Sequence, residues 1–67
     1  MIKSNLKHVL IDRKMTQTEL VKRTGIRQPT ISAIANDSIK TLPLNVLDRM
    51  CKELECNVGY LFEYIED

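Results

Sequence analysis

Aromatic residues are scarce in this 67-residue chain, which has no tryptophan, two tyrosines and one phenylalanine. A core without large rings must be built from aliphatic side chains, and hydrophobic residues make up 43% of the sequence. Glycine and proline number only two each, and no strand-like alternation of apolar and polar residues stands out. These absences favour a compact bundle of helices that forms one domain over residues 1–67.

Metal-binding and redox-active residues are also few. Cys51 and Cys56 are five positions apart, which is not the C-x-x-C spacing of a zinc or redox motif, and His8 is distant from both. No glycine-rich phosphate loop occurs, and no nucleophile, base and orienting group fall into a recognisable arrangement. We therefore expect no enzyme activity, no cofactor, no metal site and no small-molecule ligand.

No apolar run approaches the ~20 residues that a membrane span needs, and no secretory signal opens the chain, so a cytoplasmic protein without a membrane partner is predicted. The net charge is only +1, but it is unevenly distributed. Residues 1–40 hold eight basic and three acidic residues, whereas residues 41–67 hold two basic and six acidic residues. This uneven distribution of charge suits a protein that approaches phosphates in one orientation, with its basic part toward them.

Residues 16–34 predict two short helices joined by a tight turn. Thr16 and Glu19 have the spacing of a capping box at the start of the first helix. Gly25 can end that helix because glycine adopts positive φ at no steric cost. Pro29 falls in the first turn of the second helix, where a missing N–H is tolerated. The second helix should run from about residue 28 to residue 35.

Apolar spacing predicts three further helices. Helix 1 should run from about residue 4 or 5 to residue 13, helix 4 from about residue 44 to residue 54, and a short helix 5 should follow Asn57 as its N-cap. The expected core residues of helices 4 and 5 are Leu44, Leu47, Met50, Cys51, Leu54, Val58, Leu61 and Phe62. Residues 64–65 could pair with residues 1–3 as a short terminal β-ribbon.

The paired helices resemble the helix-turn-helix of the Cro/CI-type (XRE-like) DNA-binding domains. The residues that carry this resemblance are Gln17, Leu20, Gly25, Ile26, Ile31 and Ile34. The resemblance implies an all-α, five-helix, lambda-repressor-like bundle with the helix-turn-helix at about residues 17–35, as in small stand-alone regulators. Two positions depart from the family pattern, since Val21 stands where alanine is usual and Asp37 where glycine is frequent.

The resemblance also implies a DNA-reading surface on helix 3. The expected base contacts are Arg27, Gln28, Pro29, Ser32 and Ala33. The expected phosphate contacts are Arg13, Lys14, Gln17, Thr30, Asn36 and Lys40. A glutamine amide such as that of Gln28 can hold N7 and N6 of adenine in a bidentate pair. Arg27 could equally bind a phosphate, Thr30 could pack on a thymine methyl, and Pro29 can offer only van der Waals contact.

The function implied is that of a sequence-specific transcriptional regulator, expected to be a repressor, which binds double-stranded DNA as a homodimer. Helix 5 and the acidic tail are the first choice for the dimer surface, and helix 4 is the second. An alternative is an antitoxin-like or other protein-interaction module of the same fold, whose main partner is a protein. No acidic residue occurs between Arg27 and Ala35, which favours DNA as the partner.

Overall fold

The computed structural model describes residues 1–66, which form five helices and a two-stranded antiparallel ribbon. In chain order these elements are β1 (Ile2–Ser4), α1 (Leu6–Asp12), α2 (Gln17–Thr24), α3 (Gln28–Ala35), α4 (Leu44–Leu54), α5 (Val58–Leu61) and β2 (Phe62–Tyr64). The predicted bounds of α3 and α4 are confirmed. A terminal ribbon is also present, but its second strand begins at Phe62, two residues earlier than predicted, and its first strand extends to Ser4. Helix α1 begins slightly later than predicted because Ser4 belongs to β1.

Helix α2 begins at a side-chain cap and ends at a glycine. The Oγ1 atom of Thr16 accepts a hydrogen bond from the N–H of Glu19 at 3.1 Å, which is one half of the predicted capping box. The carboxylate of Glu19 accepts instead from Arg23 at 2.7 Å, one helical turn further on. Gly25 follows the helix with φ of 74°, the left-handed conformation that the sequence predicts there.

The turn between α2 and α3 contains a hydrogen-bonded threonine. The Thr24 hydroxyl donates to the carbonyl of Leu20 at 2.7 Å and accepts from the N–H of Ile26 at 3.1 Å. Ile26 is buried directly after the turn. These contacts hold the backbone of the turn at Ile26, two residues before α3, against the end of α2.

The buried core is aliphatic, as the composition predicts. It consists of Leu6, Val9, Leu10, Leu20, Ile26, Ile31, Ile34, Ala35, Met50, Leu54 and Leu61. Every helix contributes at least one of these side chains, so all five helices are anchored to one cluster. Val21 packs against the cluster while remaining partly exposed.

Two side chains predicted to lie in the core are exposed instead. Leu44 is 81% exposed and Val58 is 48% exposed. Both are the first residues of their helices, and side chains at a helix start extend past the core that the following turns cover. Their apolar character therefore contributes to surface grooves and not to the core.

The terminal ribbon joins the two ends of the chain and is tied to the helices. Ile2 pairs with Tyr64, and Ser4 pairs with Phe62. The terminal ammonium of Met1 donates to the carbonyl of Ile65 at 2.7 Å, which extends the pairing by one residue. At its other end, β1 continues into α1 through Asn5, whose N–H donates to the carbonyl of Leu61 at 2.7 Å.

Candidate nucleic-acid interface

Helix α3 has a buried face and an accessible face, as an amphipathic helix on a core should. Its buried residues are Ile31, Ile34 and Ala35. The five predicted base contacts all lie on accessible surface: Arg27, Gln28 and Pro29 are exposed, and Ser32 and Ala33 are partly exposed. The first residues of α3 are therefore accessible to a partner.

A side-chain hydrogen bond joins the first residues of α2 and α3. The amide nitrogen Nε2 of Gln28 donates to Oε1 of Gln17 at 3.3 Å. The two glutamines begin consecutive helices, so their contact brings the predicted base-reading residue beside the predicted phosphate-binding residue. The sequence predicts each role separately but does not predict that the two side chains meet.

This contact leaves Gln28 with both kinds of hydrogen-bonding group that adenine requires. A glutamine amide has two N–H donors and one carbonyl acceptor, and Gln17 occupies one donor. The remaining N–H and Oε1 of Gln28 can form a donor–acceptor pair with the N7 and N6 of one adenine. The Nε2 group of Gln17 keeps both donors for a phosphate oxygen.

Further predicted contacts surround this pair. Arg27 is the N-cap residue of α3, and its side chain makes no capping hydrogen bond. Thr30, a predicted phosphate contact, is partly exposed on the first turn of α3. At the end of the helix, Nδ2 of Asn36 donates to Oγ of Ser32 at 3.3 Å, which places one predicted phosphate contact against one predicted base contact.

Arg13 has structural partners that the sequence did not predict. Its Nε donates to the carbonyl of Leu54 at 2.8 Å, at the end of α4, and its guanidinium lies 5.6 Å from the ring centroid of Tyr60. The hydroxyl of Tyr60 in turn donates to Asp12 at 3.1 Å. Arg13 therefore holds α1 against α4 and α5, a role distinct from the phosphate contact expected of it.

Lys14 and Lys40, the two lysines predicted to contact phosphates, differ in their surroundings. Lys14 is exposed, with φ of 54°, in the turn that leads to α2. Lys40 is exposed in the loop after α3, where it lines an apolar groove together with Ile39 and Leu42. Of the two, Lys14 is closer in sequence to Gln17 at the start of α2.

No group of histidine, cysteine and acidic side chains within residues 1–66 could hold a metal ion. Cys51 and Cys56 are free thiols, each partly buried. Burial and the neighbouring Cys51 raise the pKa of the Cys56 thiol, against an opposing effect of Arg13. No helix of the described residues is long and apolar enough to cross a membrane.

Residues 5–67 match the family model of the Cro/C1-type HTH DNA-binding domain. The chain belongs to this helix-turn-helix family. It is 40% identical over 63 residues to the uncharacterized HTH-type transcriptional regulator YozG of Bacillus subtilis (strain 168), covering 94% of this chain and 75% of YozG. The crystal structure of the transcriptional regulator VanUg is similar in fold, with a TM-score of 0.80 and 28% identity over 98% of this chain and 87% of VanUg.

Membership of the Cro/C1-type family agrees with the geometry of α2 and α3. The left-handed Gly25 and the buried Ile26, Ile31 and Ile34 hold the two helices of a helix-turn-helix, and the match covers all five helices and β2 but not β1. The departure at Asp37 has a visible explanation, because this residue has φ of 58°. The position requires the left-handed conformation in which glycine is most easily accommodated.

Proposed function

We propose that this Cro/C1-type protein is a sequence-specific transcriptional regulator that inserts α3 into the major groove of DNA. The observation that carries the proposal is the hydrogen bond between Gln28 and Gln17. It fixes the orientation of an exposed amide at the start of α3 while leaving a donor and an acceptor free. A preorganised amide loses less conformational entropy when it binds a base edge than a freely rotating one.

The proposed base contacts are Gln28, Arg27, Pro29, Ser32 and Ala33. Gln28 supplies the bidentate contact to adenine, and the hydroxyl of Ser32 can donate to a base edge while it accepts from Asn36. Pro29 and Ala33 offer apolar contact, which suits a thymine methyl group. Arg27 reaches either a guanine or the adjacent phosphate from its position as N-cap.

The proposed phosphate contacts are Gln17, Lys14, Thr30, Asn36 and Lys40. Gln17 and the free N–H groups at the start of α2 can bind the same phosphate oxygens, because a helix N-terminus carries partial positive charge. The excess of basic residues in the first 40 positions would orient the protein with this side toward DNA. Arg13 is left out of the proposed set because its guanidinium already contacts Leu54 and Tyr60, whereas the exposed Lys40 in the loop after α3 stays in it.

The proposal further holds that the protein acts as a homodimeric repressor in the cytoplasm, with no catalytic step. A single module of this size covers one half-site, and two copies double the contacts and the specificity. Repression requires only that the bound protein occupy DNA that another protein needs. A homodimer therefore performs it with the contacts above.

Selection from a random duplex pool at near-physiological salt, followed by sequencing, tests this proposal. The expected result is an enriched inverted repeat with half-site centres about 10 base pairs apart, one turn of B-DNA. A variant with Gln17→Ala and Gln28→Ala together serves as the control and should enrich this motif poorly. If the wild-type protein enriches no motif and binds only weakly in a salt-sensitive way, the proposal is wrong and a protein partner becomes the better candidate.

A further inference from the structure

A second pair of hydrogen-bonded side chains lies on the accessible side of α3, near the end of the helix. Ser32 is partly exposed, and Asn36 is exposed directly after the last helical residue. The amide nitrogen Nδ2 of Asn36 donates to Oγ of Ser32 at 3.3 Å, and the backbone N–H of Asn36 donates to the carbonyl of Ser32 at 3.0 Å. Because two bonds join the same two residues, the last turn of α3 holds the amide beside the hydroxyl.

The hydroxyl of Ser32 accepts a hydrogen bond but donates none within residues 1–66. A serine or threonine hydroxyl in a helix can instead donate to the carbonyl four residues earlier. Thr24 does so, with its hydroxyl bonded to the carbonyl of Leu20 at 2.7 Å. Ser32 therefore keeps its O–H for a group outside the helix.

The bond from Asn36 decides how this hydroxyl can act toward a base. A serine hydroxyl has one donor and two acceptor lone pairs, so on its own it can offer either kind of group. Here the amide already satisfies the acceptor side, and the O–H is the group that still needs a partner when DNA excludes water. Accepting a bond also strengthens the hydroxyl as a donor. Ser32 is therefore set to donate.

We propose that Asn36 is a positioning residue for base reading, which makes the Ser32 hydroxyl act as a hydrogen-bond donor. The base that Ser32 contacts must then offer an acceptor in the major groove. Guanine, adenine and thymine each offer one, whereas cytosine presents only its N4 amino donor. Asn36 thus excludes cytosine at one position of the site without touching that base. The inference rests on the proposed function and adds the class of base that Ser32 accepts.

A phosphate contact by Asn36 agrees with this orientation of the amide. Nδ2 carries two N–H groups, so one can donate to Ser32 and the other to a phosphate oxygen. The reverse orientation would turn Oδ1 toward the phosphates, and two negatively polarised oxygens would then face each other. Gln17 and Gln28 form a comparable pair at the start of α3, where a proposed phosphate contact also bonds a proposed base contact.

Binding to duplexes that differ at single positions of the selected site tests the inference. Ser32→Ala identifies the position that Ser32 reads, because only that position should lose its preference. There the wild-type protein should bind cytosine roughly 2–10-fold more weakly than the preferred base, as one net hydrogen bond predicts. Asn36→Ala leaves the hydroxyl free to turn and should largely abolish this discrimination. Asn36→Asp should reverse it, because a carboxylate only accepts, so the hydroxyl donates to it and turns a lone pair toward the base.

Asn45→Asp is the matched control, because it makes the same chemical change at an exposed residue of α4 and should keep every wild-type preference. If Asn36 acts only through a phosphate, both of its variants should weaken all sequences by the same factor and leave the preference at the Ser32 position unchanged. That result, or a Ser32→Ala variant with wild-type preferences, would overturn the inference alone, provided that the preference read by Gln28 is retained. A wild-type protein that selects no site would refute the proposed function and the inference together.

Discussion

The carboxylate of Asp37 accepts a hydrogen bond from the backbone N–H of Ser4, with 2.7 Å between Oδ1 and N. This contact links the turn that ends α3 to the first strand of the ribbon, 33 positions away in the chain. Asp37 makes it from the left-handed conformation, with φ of 58°. A glycine would relieve the backbone strain at this position but could not form the bond.

Substitution of Asp37 should separate the two effects. Asp37→Ala keeps the strain and loses the bond, so it should lower the free energy of unfolding by about 1–2 kcal/mol. Asp37→Gly should lower it by less, because relief of the left-handed strain returns roughly 1 kcal/mol. Urea denaturation followed by circular dichroism measures both, with Asn45→Ala on α4 as the control. A glycine variant more stable than the wild type would show that the bond contributes less than the strain costs.

Gly25 should be sensitive to any side chain for a purely conformational reason. A Cβ added there would meet no atom within 4 Å, but φ is 74°. Gly25→Ala should therefore destabilise the fold by about 1 kcal/mol through backbone strain alone. Gly59→Ala is the matched control, because its Cβ would make only an ordinary contact with Asn57 at 3.5 Å and its φ is not in the left-handed region. Equal losses in the two variants would contradict this explanation.

Arg13 should affect stability more than DNA binding. Arg13→Ala removes the bond to the Leu54 carbonyl and the contact with Tyr60, so it should cost about 1–2 kcal/mol of unfolding free energy. Arg13→Lys keeps the charge but lacks the planar guanidinium and should recover only part of this.

The salt dependence of DNA binding distinguishes Arg13 from Lys14, a proposed phosphate contact. The slope of log K against log salt should remain near the wild-type value for Arg13→Ala, whereas Lys14→Ala should reduce its magnitude by about 1. A reduced slope for Arg13→Ala with unchanged stability would restore the original interpretation of Arg13 as a phosphate contact.

The thiol of Cys56 should react slowly in the folded protein. Its pKa is raised from 9.0, mainly by burial, so the folded chain holds this proton more tightly than the unfolded chain. At pH 8 the folded protein therefore has less thiolate, and iodoacetamide should modify it more slowly than the urea-unfolded chain.

The same raised pKa has a consequence for stability. The contribution of Cys56 is fully present below pH 9 and should be lost as the pH rises through the pKa of the folded state. Cys51→Ala leaves Cys56 as the only thiol, so that both measurements report on one group; it removes the smaller cause of the raised pKa and keeps burial, the larger one. Faster alkylation of the folded form than of the unfolded form would contradict the predicted direction.

Local sequence signals were sufficient to predict the helix-turn-helix. Thr16, Gly25 and Pro29 each act on the backbone within a few residues of their own position, so the bounds they imply for α2 and α3 agree with the structure. The short ribbon was also predicted, because few segments in the chain could pair with the C-terminal residues.

Contacts between distant parts of the chain were harder to predict. Leu44 and Val58 have the spacing of core residues, but periodicity does not show where the core ends along a helix. The bond from Arg13 spans 41 positions, and nothing near Arg13 in the sequence indicates that it would reach Leu54. The contact between Gln17 and Gln28 could have been inferred, since the first residues of two consecutive helices in this motif lie close together.

The most direct test of the account compares the DNA motifs selected by the wild-type protein, Gln28→Ala and Asn45→Ala. Gln28→Ala should retain the half-site spacing and lose preference at one adenine position, at a cost of about 1–3 kcal/mol on the wild-type site. Asn45→Ala, exposed on α4, should select the wild-type motif at every position. Identical motifs from wild type and Gln28→Ala would contradict the claim that the start of α3 reads the bases.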